Sequence, residues 1–184
     1  VELLKIPESE RKLAWEWAEG NWDKHYSRFG LSRKQRVEKV YIGKLAELGG
    51  RMIFGGRVNF KEEADEGWDL EVSGVRFAIK SKKVREIPAS LKNYYCHIPK
   101  DQYDKIRESC EYVAFFFIKN DRDPIKWEIC FVGYVPITMF DSMKVLHRAG
   151  MQLSKNFKLH GPDSWGVPLQ KFKDVYDINK THHP

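Results

Sequence analysis

Two runs of alternating apolar and polar residues meet at Ser73 and Gly74, and a two-residue loop containing glycine predicts a β-hairpin there. That register sets Val72 opposite Val75, Glu71 opposite Arg76, Leu70 opposite Phe77 and Asp69 opposite Ala78. Side chains alternate along a strand, so Leu70, Val72, Val75, Phe77 and Ile79 form an apolar face, while Asp69, Glu71, Arg76, Ala78, Lys80 and Lys82 form a second, outer one. Asp69 and Lys80 become diagonal neighbours with Cβ atoms within about 8 Å.

Upstream the period changes to that of a helix. Val37, Val40, Tyr41, Leu45 and Leu48 make one apolar arc, predicting a helix that ends at Gly49 and Gly50, followed by a strand over Met52 to Phe54. Glu38 lies on one rim of the arc, beside Ile42 and Leu45, where it can lean over the sheet edge. Glu47 lies on the other flank and is the weaker candidate for a role in a site. Lys44 falls inside the arc, so it must snorkel or be buried for a purpose. An earlier helix is predicted after Pro7, with Leu13, Ala14, Trp17 and Ala18 on one side and Trp15, Trp17 and Trp22 as packing residues. Asn93 to Ile98 leads through Pro99 into a short helix. Glu111 to Ile118 is apolar enough for a sheet centre, and Ile125 to Tyr134 returns as the next strand after a turn at Asn120 to Pro124. Thr138 to His147 is expected to be helical, and Ser154 to His160 and Trp165 to Lys173 to be short extended or irregular pieces.

The segment carrying Asp69, Ala78, Ile79 and Lys80 resembles the PD-(D/E)XK, or restriction endonuclease-like, nucleases, whose pattern is an Asp near the start of one strand and (Asp/Glu)-x-Lys on the next. The resemblance extends over roughly residues 35 to 135 and includes a preceding amphipathic helix, with Glu38 in the place of the family's helical glutamate. It implies an α/β fold with a mixed central sheet flanked by helices, and an endonuclease that hydrolyses double-stranded DNA. Mg²⁺, or Mn²⁺ as a substitute, would be held by Asp69, Glu38 and the carbonyl of Ile79, with Lys80 at the water or the phosphate. The chain departs from the pattern at Ala78, which stands where the second acid belongs. A glutamate at that position would point at the same ion, so Ala78→Glu is expected to gain activity. Restriction-type cleavage is the first expectation, junction resolution the second, and DNA binding without cleavage the alternative that Ala78 raises. Members of this kind act as homodimers.

Composition is compatible with these expectations. The 184 residues suit one domain, with 1–34 as an N-terminal helical addition, 35–135 as the core and 136–184 as a C-terminal addition. The net charge of +6 favours a polyanionic partner. Basic residues cluster at Arg28, Arg33, Lys34, Arg36 and Lys39 and again at Lys80, Lys82, Lys83 and Arg85. Of these, Arg33, Lys34, Arg36, Lys82 and Lys83 are the candidate DNA contacts, flanking one site. Cys96, Cys110 and Cys130 lack metal spacing and are expected as buried thiols. His147 and His160 are expected at the surface or hydrogen-bonded, and His182 and His183 are given no metal role. No apolar run reaches membrane-spanning length, and a cytoplasmic location with no membrane partner is expected.

Overall fold

A computed structural model describes residues 2–24, 30–56, 58, 68–154, 157–159 and 161–172. Arg28, His160, Lys173, His182 and His183 lie outside the described residues. Strand β1 (Glu2–Leu4) precedes helices α1 (Glu8–Asn21) and α2 (Arg33–Phe54), the hairpin β2 (Leu70–Val72) and β3 (Val75–Val84), then β4 (Tyr95–Pro99), α3 (Lys100–Ser109), β5 (Tyr112–Lys119) and β6 (Glu128–Pro136). Helix α4 (Ile137–Met143) follows, with the short strands β7 (Val145–His147), β8 (Gln152–Ser154), β9 (Phe157–Lys158) and β10 (Ser164–Pro168).

The main sheet is mixed, in the order β1-β6-β5-β3-β2, with β3 and β5 parallel and the remaining pairs antiparallel. The apolar strand expected at a sheet centre is the central one, β5. Both faces of the sheet are covered, the usual situation for a parallel pair joined by a crossover. On one face α1 and α2 pack over Phe77, Ile79, Ala114 and Phe116. On the other, Ala78, Val113, Phe115 and Phe117 pack with α3, α4 and a second antiparallel sheet, ordered β4-β10-β7. From Ala78 onward the hairpin's second face is therefore part of an internal layer and not the outer surface that alternation alone suggested, while Glu71 and Arg76 pair at its outer end.

Helix α2 runs through Met52–Phe54, where a strand was expected. Gly49 and Gly50 read as a terminator, but they are points of close approach. A Cβ on Gly49 would lie 3.0 Å from the Phe116 ring, and one on Gly50 would lie 3.1 Å from Ile79. The helix stops at Gly55, whose φ of 85° suits glycine and whose N–H caps the Arg51 carbonyl. Its start is fixed by a capping box: Ser32 accepts from the Gln35 N–H while the Gln35 side chain accepts from the Ser32 N–H. After α2 the chain runs through β2, β3 and β4, then α3, β5 and β6, and β4 belongs to the second sheet.

Two further differences concern single segments. In α1 the inner face is Ala14 and Ala18, with Leu13 exposed, and Arg51 of α2 pairs with Glu10 to tie the two helices together. The segment expected to be helical up to His147 ends its helix at Met143 and continues as β7. His147 is buried, and its Nδ1 lies 2.8 Å from Nε2 of His97 on β4. Gly166 of β10 lies against the His147 ring, where a Cβ would come within 2.7 Å. All three cysteines are free and buried, and among the described residues no helix is long and apolar enough to cross a membrane.

Candidate functional site

The hairpin has the register read from the alternation, with Val72 paired to Val75, Glu71 to Arg76 and Leu70 to Phe77. Ser73 and Gly74 both take positive φ, 51° and 83°, as a tight two-residue turn requires. β2 is only three residues long, and among the described residues no other strand pairs with the rest of that edge of β3. Asp69 occupies the place where the ladder ends. Its N–H still donates to the Phe77 carbonyl at 2.9 Å, while its carboxylate Oδ2 accepts the Ile79 N–H at 2.7 Å. Lys80 brings its Nζ to 3.9 Å from the same oxygen, with both side chains partly buried. Asp69 and Lys80 are therefore neighbours at a strand edge.

The helical acids divide differently from the sequence expectation. α2 runs antiparallel to β3, because Gly50 packs on Ile79 while Glu38 pairs with Lys83 at 2.7 Å. Nine residues of helix separate Glu38 from Glu47, about 13 Å of rise and half a turn of rotation. Glu38 thus lies toward the far end of β3. Glu47, with its side chain 15% exposed, receives a 2.6 Å hydrogen bond from the equally enclosed Lys44, whose Nζ lies 4.6 Å from the centre of the Trp17 ring. Burial pushes the Glu47 carboxyl up to about 7; Lys44 opposes the rise, the negative charge of Asp69 adds to it and Lys80 opposes it. The acid that feels Asp69 and Lys80 is Glu47. The signal in the sequence was Lys44: a cation inside an apolar arc needs a carboxylate, and Glu47 is three residues away on the same face.

Ala78 is completely buried in the second core cluster and pairs with Val113 of β5. Ile79 sends its side chain toward Gly50 and gives its N–H to Asp69.

The two basic clusters come together only in part. Arg33, Lys34 and Lys83 line one cavity of about 680 Å³, joined by Arg122 from the β5–β6 connection. Lys82 points to the opposite side of the sheet, with its ammonium 5.2 Å from the centre of the Tyr94 ring and its pKa lowered by burial. Arg36 donates to the Leu31 carbonyl and lies over Trp22. Among the described residues no three His, Cys, Asp or Glu side chains form a ready metal cage. No family model, curated protein or solved structure matches this chain.

Proposed function

We propose that the chain is a divalent-metal-dependent endonuclease of restriction endonuclease-like fold acting on double-stranded DNA, with Asp69, Glu47 and Lys80 as its reactive group. The observation that carries this reading is the convergence of Asp69 and Lys80 at the edge of β3, while helix α2, packed over the same strand, carries Glu47, a raised-pKa acid whose ionisation Asp69 and Lys80 influence. A lysine and two carboxylates of unlike environment suit phosphodiester hydrolysis.

The residues fit Mg²⁺, which takes one or two carboxylates and keeps several waters, so a third acid at position 78 is not required for binding. Asp69 and Glu47 would hold the ion, with the Ile79 carbonyl as a further oxygen. The bound ion would activate a water and neutralise charge on the phosphate. The Ile79 N–H fixes one oxygen of the Asp69 carboxylate, and the other would be available to the ion. Lys80 holds a positive charge beside the phosphoryl oxygens, and Glu47 gives up its proton near neutrality.

The test is cleavage of supercoiled plasmid and of a four-way junction in Mg²⁺ or Mn²⁺. The parent chain is expected to nick or linearise plasmid, Asp69→Asn and Glu47→Gln to abolish cutting, and Glu38→Gln to retain it. Loss through Glu38→Gln with Glu47→Gln active would return the helical role to Glu38. Faster cutting of the junction would favour a resolvase, and duplex binding without cutting would leave a DNA-binding module. The homodimer implied by the family resemblance is read by sedimentation of the same sample.

A further inference from the structure

The cavity of about 680 Å³ lies outside the Asp69 group, where the carboxyl ends of the parallel strands β3 and β5 meet the start of α2. In open α/β sheets this is the place where ligands bind, because the connections leave a crevice there. Its floor is apolar and aromatic: Trp15, Val37, Pro124 and Trp127. Trp15 stands edge-on to Tyr41 and stays partly exposed, while Trp127 is fixed by its indole N–H, which donates to the Asp121 carbonyl at 2.9 Å. Around this floor stand four cations, Arg33, Lys34, Lys83 and Arg122, and the first turn of α2 presents its positive end. Glu19 and Asp121 supply acceptors at the rim.

These features select a ligand. Lys83 is already paired with Glu38, but a purely apolar molecule would still cover the charges of Glu19, Lys34, Asp121 and Arg122 without answering them, and a simple polyanion would meet carboxylates. A flat ring carrying amino groups at its edge and a phosphate on its tail suits the set: stacking on Trp15, amino groups to Asp121 or Glu19, phosphate to Arg33, Lys34 or Arg122. The volume is that of a small-ligand site and far too small for a duplex to enter. We infer that the cleft between α1, the start of α2 and the β5–β6 turn is a mononucleotide site, taking one unstacked nucleotide.

The nucleotide can be free or part of a strand. Lys83 lies three residues beyond Lys80 on β3, about 10 Å along the strand but on the opposite face of the sheet. A strand held at Lys80 therefore reaches the cleft only by crossing the edge of β3. That the nucleotide belongs to the strand being cut rests on the nuclease reading; that the cleft holds a nucleotide does not.

The experiment titrates the protein by calorimetry and tryptophan fluorescence with AMP, with dTMP, with a single-stranded hexanucleotide and with a blunt duplex, repeated on Lys34→Ala/Arg122→Ala. Both substituted side chains are exposed, so an unchanged melting temperature confirms that the fold is kept. Binding of a free nucleotide or of the hexanucleotide with quenched fluorescence, weakened at least tenfold in the double variant, supports the site, and the arm that binds identifies the source. Absence of binding at millimolar nucleotide and oligonucleotide, unaltered affinity in the variant, or a duplex that competes as well as the single strand would overturn it. Nucleotide binding that survives in Asp69→Asn while no substrate is ever cut removes the nuclease reading and leaves the site. Cleavage that depends on Asp69 without nucleotide binding does the reverse.

Discussion

Burial pushes the Glu47 carboxyl up to about 7, while burial, His147 and Lys82 pull the His97 imidazole down to about 4. The two act on stability in opposite senses. Glu47 holds its proton longer in the folded state than in the unfolded chain, so its contribution is full below pH 4.5 and fades as pH rises to 7. His97 is neutral when folded, so the unfolded chain takes up more protons between 4 and 6.5, and stability is lost as pH falls through that range. Each shift corresponds to about 3 kcal/mol. The pair should nearly cancel in the parent. Metal-free urea unfolding from pH 4 to 8 should then show Glu47→Gln gaining stability with rising pH relative to parent, and His97→Gln gaining it with falling pH; parallel curves would reject both assignments. Ala78→Glu is a sharper test of the vacant acid position. With Ala78 fully buried, an added carboxylate should cost roughly 2–4 kcal/mol in metal-free protein. If the group reaches the ion at Asp69, Mn²⁺ should restore much of the loss and raise cleavage; a thermal shift indifferent to Mn²⁺ would show that it does not.

At the scale of elements, α2 links the fold to the site, since it carries Glu47 and lies close on the sheet. Closeness depends on Gly49, where a Cβ would press on the fully buried Phe116 ring at 3.0 Å, whereas Gly43 faces nothing within 4 Å. Gly43→Ala should therefore stabilise by up to about 1 kcal/mol through helix propensity, and Gly49→Ala should destabilise by about 1 kcal/mol, overpacking outweighing that gain. Chemical denaturation of the two variants measures the opposite signs. The same two elements show what the sequence made legible. The β2–β3 register was readable to the residue because a two-residue turn fixes local pairing. So were the helical arc of α2 and the central strand β5, whose signals are local in period. Met52–Phe54 was not, because glycines that serve contact look the same in sequence as glycines that end a helix. β7 was missed because three residues are too few to show a period and their pairing partner, β10, is distant in the chain. Glu38 was preferred to Glu47 because helical phase alone does not say which end of the helix meets Asp69.

For the whole molecule, the net charge of +6 matters through its placement. Arg33, Lys34 and Lys83 share a cleft while Lys82 lies on the other side of the sheet. If the cleft residues meet backbone phosphates, the log-log salt slope of DNA binding should fall by about two in Arg33→Ala/Lys34→Ala. A slope unchanged in that double variant, measured by fluorescence anisotropy from 50 to 300 mM salt, would remove those residues from the interface. The second sheet bears on how the molecule comes into being. Its middle strand, β10, pairs with both β4 and β7, although it is the last of the three to be made. While the chain leaves the ribosome, β4 waits with an unpaired edge for some seventy residues, and neither neighbour can be completed until Ser164–Pro168 has emerged. The hairpin bearing Asp69 can close early. The layer that encloses the other side of Lys80 and Ala78 is completed only once β10 has emerged, so a nascent chain carries Lys80 before it has the wall that shields it.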